Sequence, residues 1–248
     1  MQSKFNFKID RTIYPSEKER TNKETVWEYY FARKTAFLIT PFILRLKISA
    51  NQVSFFSIVA GVIGSVLIAV GNFWLILIGG ISMQLWLVLD KTDGLVARFR
   101  NTASKFGEFF EELNGSLIAA LFFSSIGFAS AKFPGFLPFS FYFSPKIFII
   151  LGLATSLFVI FRHLISRHFE AVFGKNKETG VSHFTSERSA GLYRILVKFS
   201  GVYSLAQPIF ILALLLDFLG LYTFVYFVLQ GILMFVSIAN SIYRANKI

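Results

Sequence analysis

A chain of 248 residues fits one domain, but 54% of them are hydrophobic and 18% aromatic. The mean hydropathy of +0.60 exceeds what a soluble globule carries, so the sequence reads as an integral membrane protein. The net charge of +11 suggests no nucleic-acid partner, because the basic residues follow the apolar spans, and the absence of cysteine excludes disulfides and thiolate chemistry.

Ten Lys and Arg fall in residues 1–50, four between Lys91 and Lys105, seven between Arg162 and Lys198 and two at the C-terminal end, leaving Lys132 and Lys146 for the other side. This is the positive-inside pattern. It predicts both termini in the cytoplasm, in the cell (inner) membrane, with the excess charge attracted to anionic lipid head groups. The first forty residues are polar and hold no apolar run followed by a small-residue cleavage site, so the first span is expected to do the targeting.

In chain order, residues 1–50 form a cytoplasmic segment. Ser16 with Glu19, and Thr21 with Glu24, have the spacing of capping boxes and predict the start of a helix. Val26, Trp27, Tyr30, Phe31 and Phe37 fall on one side of it, and Glu24, Glu28, Arg33 and Lys34 on others, as in an amphipathic helix lying in the membrane interface. Residues 51–248 read as a helical bundle of six transmembrane spans: 55–70, 73–89, 117–131, 147–161, 202–219 (interrupted by Pro208) and 222–238. Each is close to the ~20 apolar residues needed to cross a bilayer. Gly61 and Ser65 form a small-xxx-small pair in the first span, and Gly71 with Asn72 leaves room only for a tight turn.

Between the second and third spans, residues 90–115 place Asp90, Asp93, Glu108, Glu111 and Glu112 in an otherwise apolar protein. Asp90 and Asp93 lie one helical turn apart, as do Glu108 and Glu111, so each pair shares a face. A charge within the bilayer costs ~2.5–3.5 kcal/mol, so five acids together need compensation. Oxygen ligands without Cys or clustered His favour a hard divalent ion, Mg2+ or Mn2+. His163 and His168 fall on different sides of a helix and His183 lies in a loop, which argues against zinc. Arg162 and Arg167 could bind an acceptor phosphate or a lipid head group, and equally suit a cytoplasmic flank.

Asp90, Asp93, Gly94, Ala97, Arg98 and Gly107 match at every spacing the signature Asp-x2-Asp-Gly-x2-Ala-Arg-x8-Gly-x3-Asp-x3-Asp. The chain therefore resembles the CDP-alcohol phosphotransferases. The resemblance also takes in the polar lead-in from Asn51 to Ser54 and the six-span layout. Two positions depart from the signature: its third aspartate is Glu111, and its fourth, held to be the general base in that family, is Gly115.

The resemblance implies metal-dependent transfer of a substituted phosphoryl group from a CDP-alcohol, CDP-diacylglycerol or similar, to an alcohol hydroxyl with release of CMP. It also implies a homodimer. Two metal ions held by shared carboxylates suit that chemistry, with Asp90, Asp93 and Glu111 as ligands. Gly94, Ala97 and Gly107 would let a nucleotide approach the backbone, and Arg98 would offer a fork to phosphate. Asn51 and Ser54 would complete the nucleotide site, and Ser104 would cap the third helix or donate to the ligand. With Gly115 in place of the base, Glu112, one turn back, is the expected proton acceptor. The competing expectation for Glu112 is a local pair with Arg100 or Lys105. The competing expectation for the whole chain is a catalytically degenerate relative that binds a CDP-lipid or metal as a scaffold.

Overall fold

The computed structural model describes residues 26–136, 144–173 and 195–246. The expected capping boxes at Ser16 and Thr21, most of the outer aromatic loop and the loop holding His183 lie outside them. Everything described is helical or turn. A π-helical turn, Glu28–Ala32, runs into α1 (Arg33–Arg45). Then follow α2 (Ala50–Val70), α3 (Phe73–Phe99), α4 (Lys105–Lys132), α5 (Pro145–Phe173), α6 (Ala206–Leu215) and α7 (Leu219–Ala245).

Five of these helices, α2, α3, α4, α5 and α7, are long and apolar enough to cross a membrane. Their exposed faces carry large apolar side chains, such as Phe55, Val59 and Val66 on α2 and Trp74, Ile78, Ile81 and Leu85 on α3. A soluble protein would not expose so much contiguous apolar surface, and in a bilayer it faces acyl chains.

The expected fifth span differs. In place of one helix over 202–219 there is a short helix at 195–200, a turn over 201–205, and the ten-residue α6. Pro208 does not interrupt α6 but sits in its first turn, where a missing N–H costs no intrahelical hydrogen bond. At ~1.5 Å per residue α6 reaches only half of a ~30 Å hydrocarbon core. The turn is held at both its flanks by α7, with the Tyr226 hydroxyl donating to Phe199 O at 2.7 Å, Gln230 Nε2 to Ser200 O at 2.8 Å and the Tyr222 hydroxyl to Ala206 O at 3.0 Å.

Local chemistry explains the boundaries. Ser49 and Gln52 form a reciprocal capping box at the start of α2, and Gly71, with φ 77°, ends it in the left-handed region. Asn72 caps α3 through Trp74 N, and Ser104 caps α4 through Gly107 N at 3.1 Å. The helix α3 continues well past the apolar stretch, to Phe99, so the whole of residues 90–98 is helical.

The segment before α2 packs along α3 with Trp27 and Phe31 against the core, and two charged residues are buried beside them. Glu28 and Arg33 are buried, while Tyr30, Leu38 and Phe42 are exposed. Trp27 Nε1 donates to Gln84 Oε1 at 2.7 Å, and Gln84 Nε2 to Gln207 Oε1 at 2.8 Å, tying this segment through α3 to α6.

Helix pairs approach closely at small residues. A Cβ added to Gly79 on α3 would lie 2.6 Å from Gly64 O on α2, and one added to Gly127 on α4 would lie 2.7 Å from Phe148 O on α5. Gly61 is buried against Ile118, and Ser65 bonds back to Gly61 O. The α2 and α3 contact fixes Ser54 relative to Asp93. Gly79→Val therefore has to push the two backbones apart, and overpacking of this kind costs ~1–3 kcal/mol. Thermal unfolding in detergent should show a clear fall in Tm for Gly79→Val and almost none for Gly107→Ala, whose Cβ would meet only Ser104 Oγ at 3.5 Å. Equal Tm values would contradict the packing.

Candidate functional site

The C-terminal end of α3, the N-terminal end of α4 and the start of α2 meet at one end of the bundle, joined there by the C-terminal part of α5. Two cavities open at this end. The smaller, about 110 Å³, is lined by Asn51 and Ser54 of α2, by Asp93, Gly94, Ala97 and Arg98 of α3, by Ser104, and by Gly107, Glu108 and Glu111 of α4. The larger, about 660 Å³, has Glu108 and Glu111 as a shared wall and is completed by Glu28, Lys91, Glu112, Gly115, Ser116, His163, Arg167 and Tyr203 among others. A volume of this size accommodates a small ligand.

Ten of the residues singled out from the sequence thus line one small pocket, Asn51, Ser54, Asp93, Gly94, Ala97, Arg98, Ser104, Gly107, Glu108 and Glu111. Asp93 accepts a hydrogen bond of 2.5 Å from Ser54 Oγ, across the α2 and α3 contact. Gly94 lies under the Arg98 guanidinium, where an added Cβ would meet Nη2 at 3.0 Å. Glu112 lines the larger cavity instead. Its partner is Arg167 of α5, which also reaches Glu170 at 3.1 Å, so the ion pair is between helices and not with Arg100 or Lys105.

Asp90 lines neither cavity. It is 1% exposed and accepts from Asn114 Nδ2 at 3.2 Å through Oδ1, while its Oδ2 lies 2.9 Å from the Lys91 ammonium. Asn114 is itself fixed, donating to Ser57 Oγ at 2.9 Å and accepting from Trp86 Nε1 at 3.2 Å. Lys91 also lies 3.6 Å from Glu28 Oε1 and 4.0 Å from Glu111 Oε1, and sits over the Tyr203 ring at 4.5 Å. Glu28 in turn pairs with Arg33 at 2.8 Å. Burial, reinforced by the neighbouring Asp90 carboxylate, pushes the Tyr203 hydroxyl well above its usual value, so it stays protonated at neutral pH.

Gly115 is buried, and an added Cβ would run into the Tyr203 hydroxyl. The space that a longer side chain would need at this position is therefore filled from the 201–205 turn. One residue on, Ser116 Oγ lies 3.1 Å from His163 Nδ1.

The donor set can be tested against divalent ions on this geometry. Among the described residues no three of His, Cys, Asp and Glu come together as a ready metal cluster. One ion beside Asp93 and Glu111 fits the residues present, since both carboxylates face the small pocket. Two ions sharing Asp90 do not fit, because Asp90 Oδ2 is turned to the Lys91 ammonium and the position after Asn114 has no carboxylate.

Sequence reasoning gathered the small pocket but missed the second layer. Lys91 stood in plain view between Asp90 and Asp93, and its place beside two acids was the available signal. Glu28 and Tyr203, far away in the chain, carried none.

A family model described as CDP-alcohol phosphatidyltransferase matches residues 47–243 of the chain. No curated protein matches it significantly.

Filling Gly115 is expected to require two changes. Gly115→Asp alone should lower Tm, by the equivalent of ~1–3 kcal/mol of overpacking, and Gly115→Asp with Tyr203→Ala should recover much of that loss. Thermal unfolding of the three proteins checks it, and a tolerated single variant would show that Tyr203 does not occupy the space.

Proposed function

Because this chain belongs to the CDP-alcohol phosphatidyltransferase family, we propose that it transfers a substituted phosphoryl group from a CDP-linked alcohol, CDP-diacylglycerol or similar, to the hydroxyl of an acceptor alcohol in lipid biosynthesis. The observation that carries this reading is the pocket in which Asp93, Gly94, Ala97, Arg98 and Gly107 meet Asn51 and Ser54.

In this reading the donor's pyrophosphate lies in the small pocket, where Gly94 and Ala97 leave the backbone of α3 open to it. Arg98 donates its planar fork to a phosphate, and Asn51 and Ser54 orient the nucleotide from α2. When bound, Mg2+ or Mn2+ beside Asp93 and Glu111 supplies positive charge to the phosphate oxygens. The acceptor enters through the larger cavity. Its hydroxyl oxygen attacks the phosphorus that carries the donor alcohol, the bond from that phosphorus to the bridging oxygen breaks, and CMP leaves with the electron pair. Glu112 takes the hydroxyl proton, held toward the cavity wall by Arg167.

The distribution of charge supports a cytoplasmic site. Among the described residues Arg98, Arg100, Lys105, Arg167 and Arg244 lie toward this end of the bundle and Lys132 and Lys146 toward the other, which suits both termini inside. Membership of the family supports a homodimer.

A second reading, a degenerate relative that holds a CDP-lipid as a scaffold, is favoured by one observation, the Tyr203 hydroxyl occupying the space beside Gly115. The two separate on turnover. Purified protein given Mg2+ or Mn2+, a panel of CDP-alcohols and lipid extract should release CMP and form a phosphodiester identifiable by mass spectrometry. Retained CDP binding without CMP release from any donor would establish the scaffold.

Within the transferase reading, Arg98→Lys should raise the donor KM at least about tenfold, since a charge-assisted hydrogen bond is worth ~1.5–3 kcal/mol and an ammonium cannot reproduce the fork. Glu112→Gln should lower kcat ~100-fold with little change in donor KM. Full turnover of Glu112→Gln across the pH range would remove Glu112 as the base.

A further inference from the structure

A buried carboxylate such as Asp90 requires a partner cation, and the chain supplies one from the next residue. The Lys91 ammonium stands 2.9 Å from Asp90 Oδ2, 3.6 Å from Glu28 and 4.0 Å from Glu111, above the face of Tyr203. Its side chain is 12% exposed. Three carboxylates from three separate segments, one before α1, one on α3 and one on α4, thus surround one fixed positive charge. That is the environment a divalent ion would otherwise occupy.

A second ion would have to enter against this ammonium. It would find one Asp90 oxygen facing Lys91 and the other accepting from Asn114. Beyond Asn114, where a further carboxylate would have to project, Gly115 offers no side chain and the Tyr203 hydroxyl fills the space. Two cations in van der Waals reach repel strongly at reduced dielectric, so the ammonium and a divalent ion exclude each other. Asp93 is separate from this arrangement. It faces the small pocket with Glu111, leaving that side open to one ion.

We infer that Lys91 is a built-in cation that replaces a second divalent ion, so that the site takes a single metal, beside Asp93 and Glu111, with the Lys91 ammonium as the permanent positive charge on the side of the larger cavity. The identity of the pocket's nucleotide rests on the transferase reading; the position of the ammonium does not. The consequence is a site whose acceptor side is charged whether or not metal is present, and whose metal dependence follows a one-ion law.

The test is the number of Mn2+ ions bound per full-length chain in nanodiscs saturated with CDP, read from the loss of the free-ion signal in electron paramagnetic resonance. The native protein should bind one. Lys91→Ala should bind one more than the native protein, and Lys91→Arg, which keeps a cation, the same number as the native protein. Two ions on the native protein would overturn the inference, as would a folded Lys91→Ala that gains none. If Lys91→Ala does not fold, the native stoichiometry decides alone. CMP release by the native protein is measured in parallel. Its absence alongside a single ion sinks the transferase reading and leaves the inference, whereas CMP release with two ions does the reverse.

Discussion

The contact between the Asp90 carboxylate and the Lys91 ammonium governs the rest of the site. Removing Lys91 would leave the buried Asp90 carboxylate uncompensated, which costs ~3–5 kcal/mol. The ammonium reaches Glu28 and Glu111 as well, so one charge links the segment before α1 to α3 and α4. Its position over Tyr203 adds the 201–205 turn to the same cluster. Four parts of the chain are thereby held around a common point.

That cluster determines which side chains the two cavities present. With Asp90 committed to Lys91 and Asn114, the acids left facing the small pocket are Asp93, Glu108 and Glu111. The glycine contact between α2 and α3 brings Ser54 onto Asp93, and the Trp86 to Asn114 to Ser57 chain of hydrogen bonds locks the same three helices deeper in the bundle. The larger cavity takes its character from Lys91, Arg167 and His163 on one side and Glu108, Glu111 and Glu112 on the other. Two cavities that meet at Glu108 and Glu111 are an arrangement compatible with group transfer between two bound molecules.

Much of the fold and most of the small pocket were legible in the sequence. Apolar run lengths located five long helices, and the match to the family signature singled out Asp93, Gly94, Ala97 and Arg98, which line one pocket. The polar lead-in at Asn51 and Ser54 also pointed to that pocket. What could not be read were contacts between elements. Glu112 was weighed against Arg100 and Lys105 because local spacing shows only local partners, while its partner, Arg167, comes from another helix. Glu28 falls among the polar residues of an amphipathic helix, yet it is buried, because the acid finds Arg33 and Lys91 there, while Lys34 stays exposed. Tyr203 falls at the start of the span expected over 202–219; instead it belongs to a turn whose flanking carbonyls, at Phe199, Ser200 and Ala206, are held by α7, which hydropathy does not register. Pro208 similarly looked like an interruption, although it opens the short α6.

The one-metal proposal puts a single ion at the small pocket and keeps Lys91 as the fixed cation behind it. Anomalous X-ray scattering from crystals of the protein soaked with Mn2+ and CDP tests this most directly. A single peak bounded by Asp93 and Glu111, with the Lys91 ammonium still against Asp90, is the predicted result. A second peak between Asp90 and Glu111, with the Lys91 side chain displaced from it, would contradict the account.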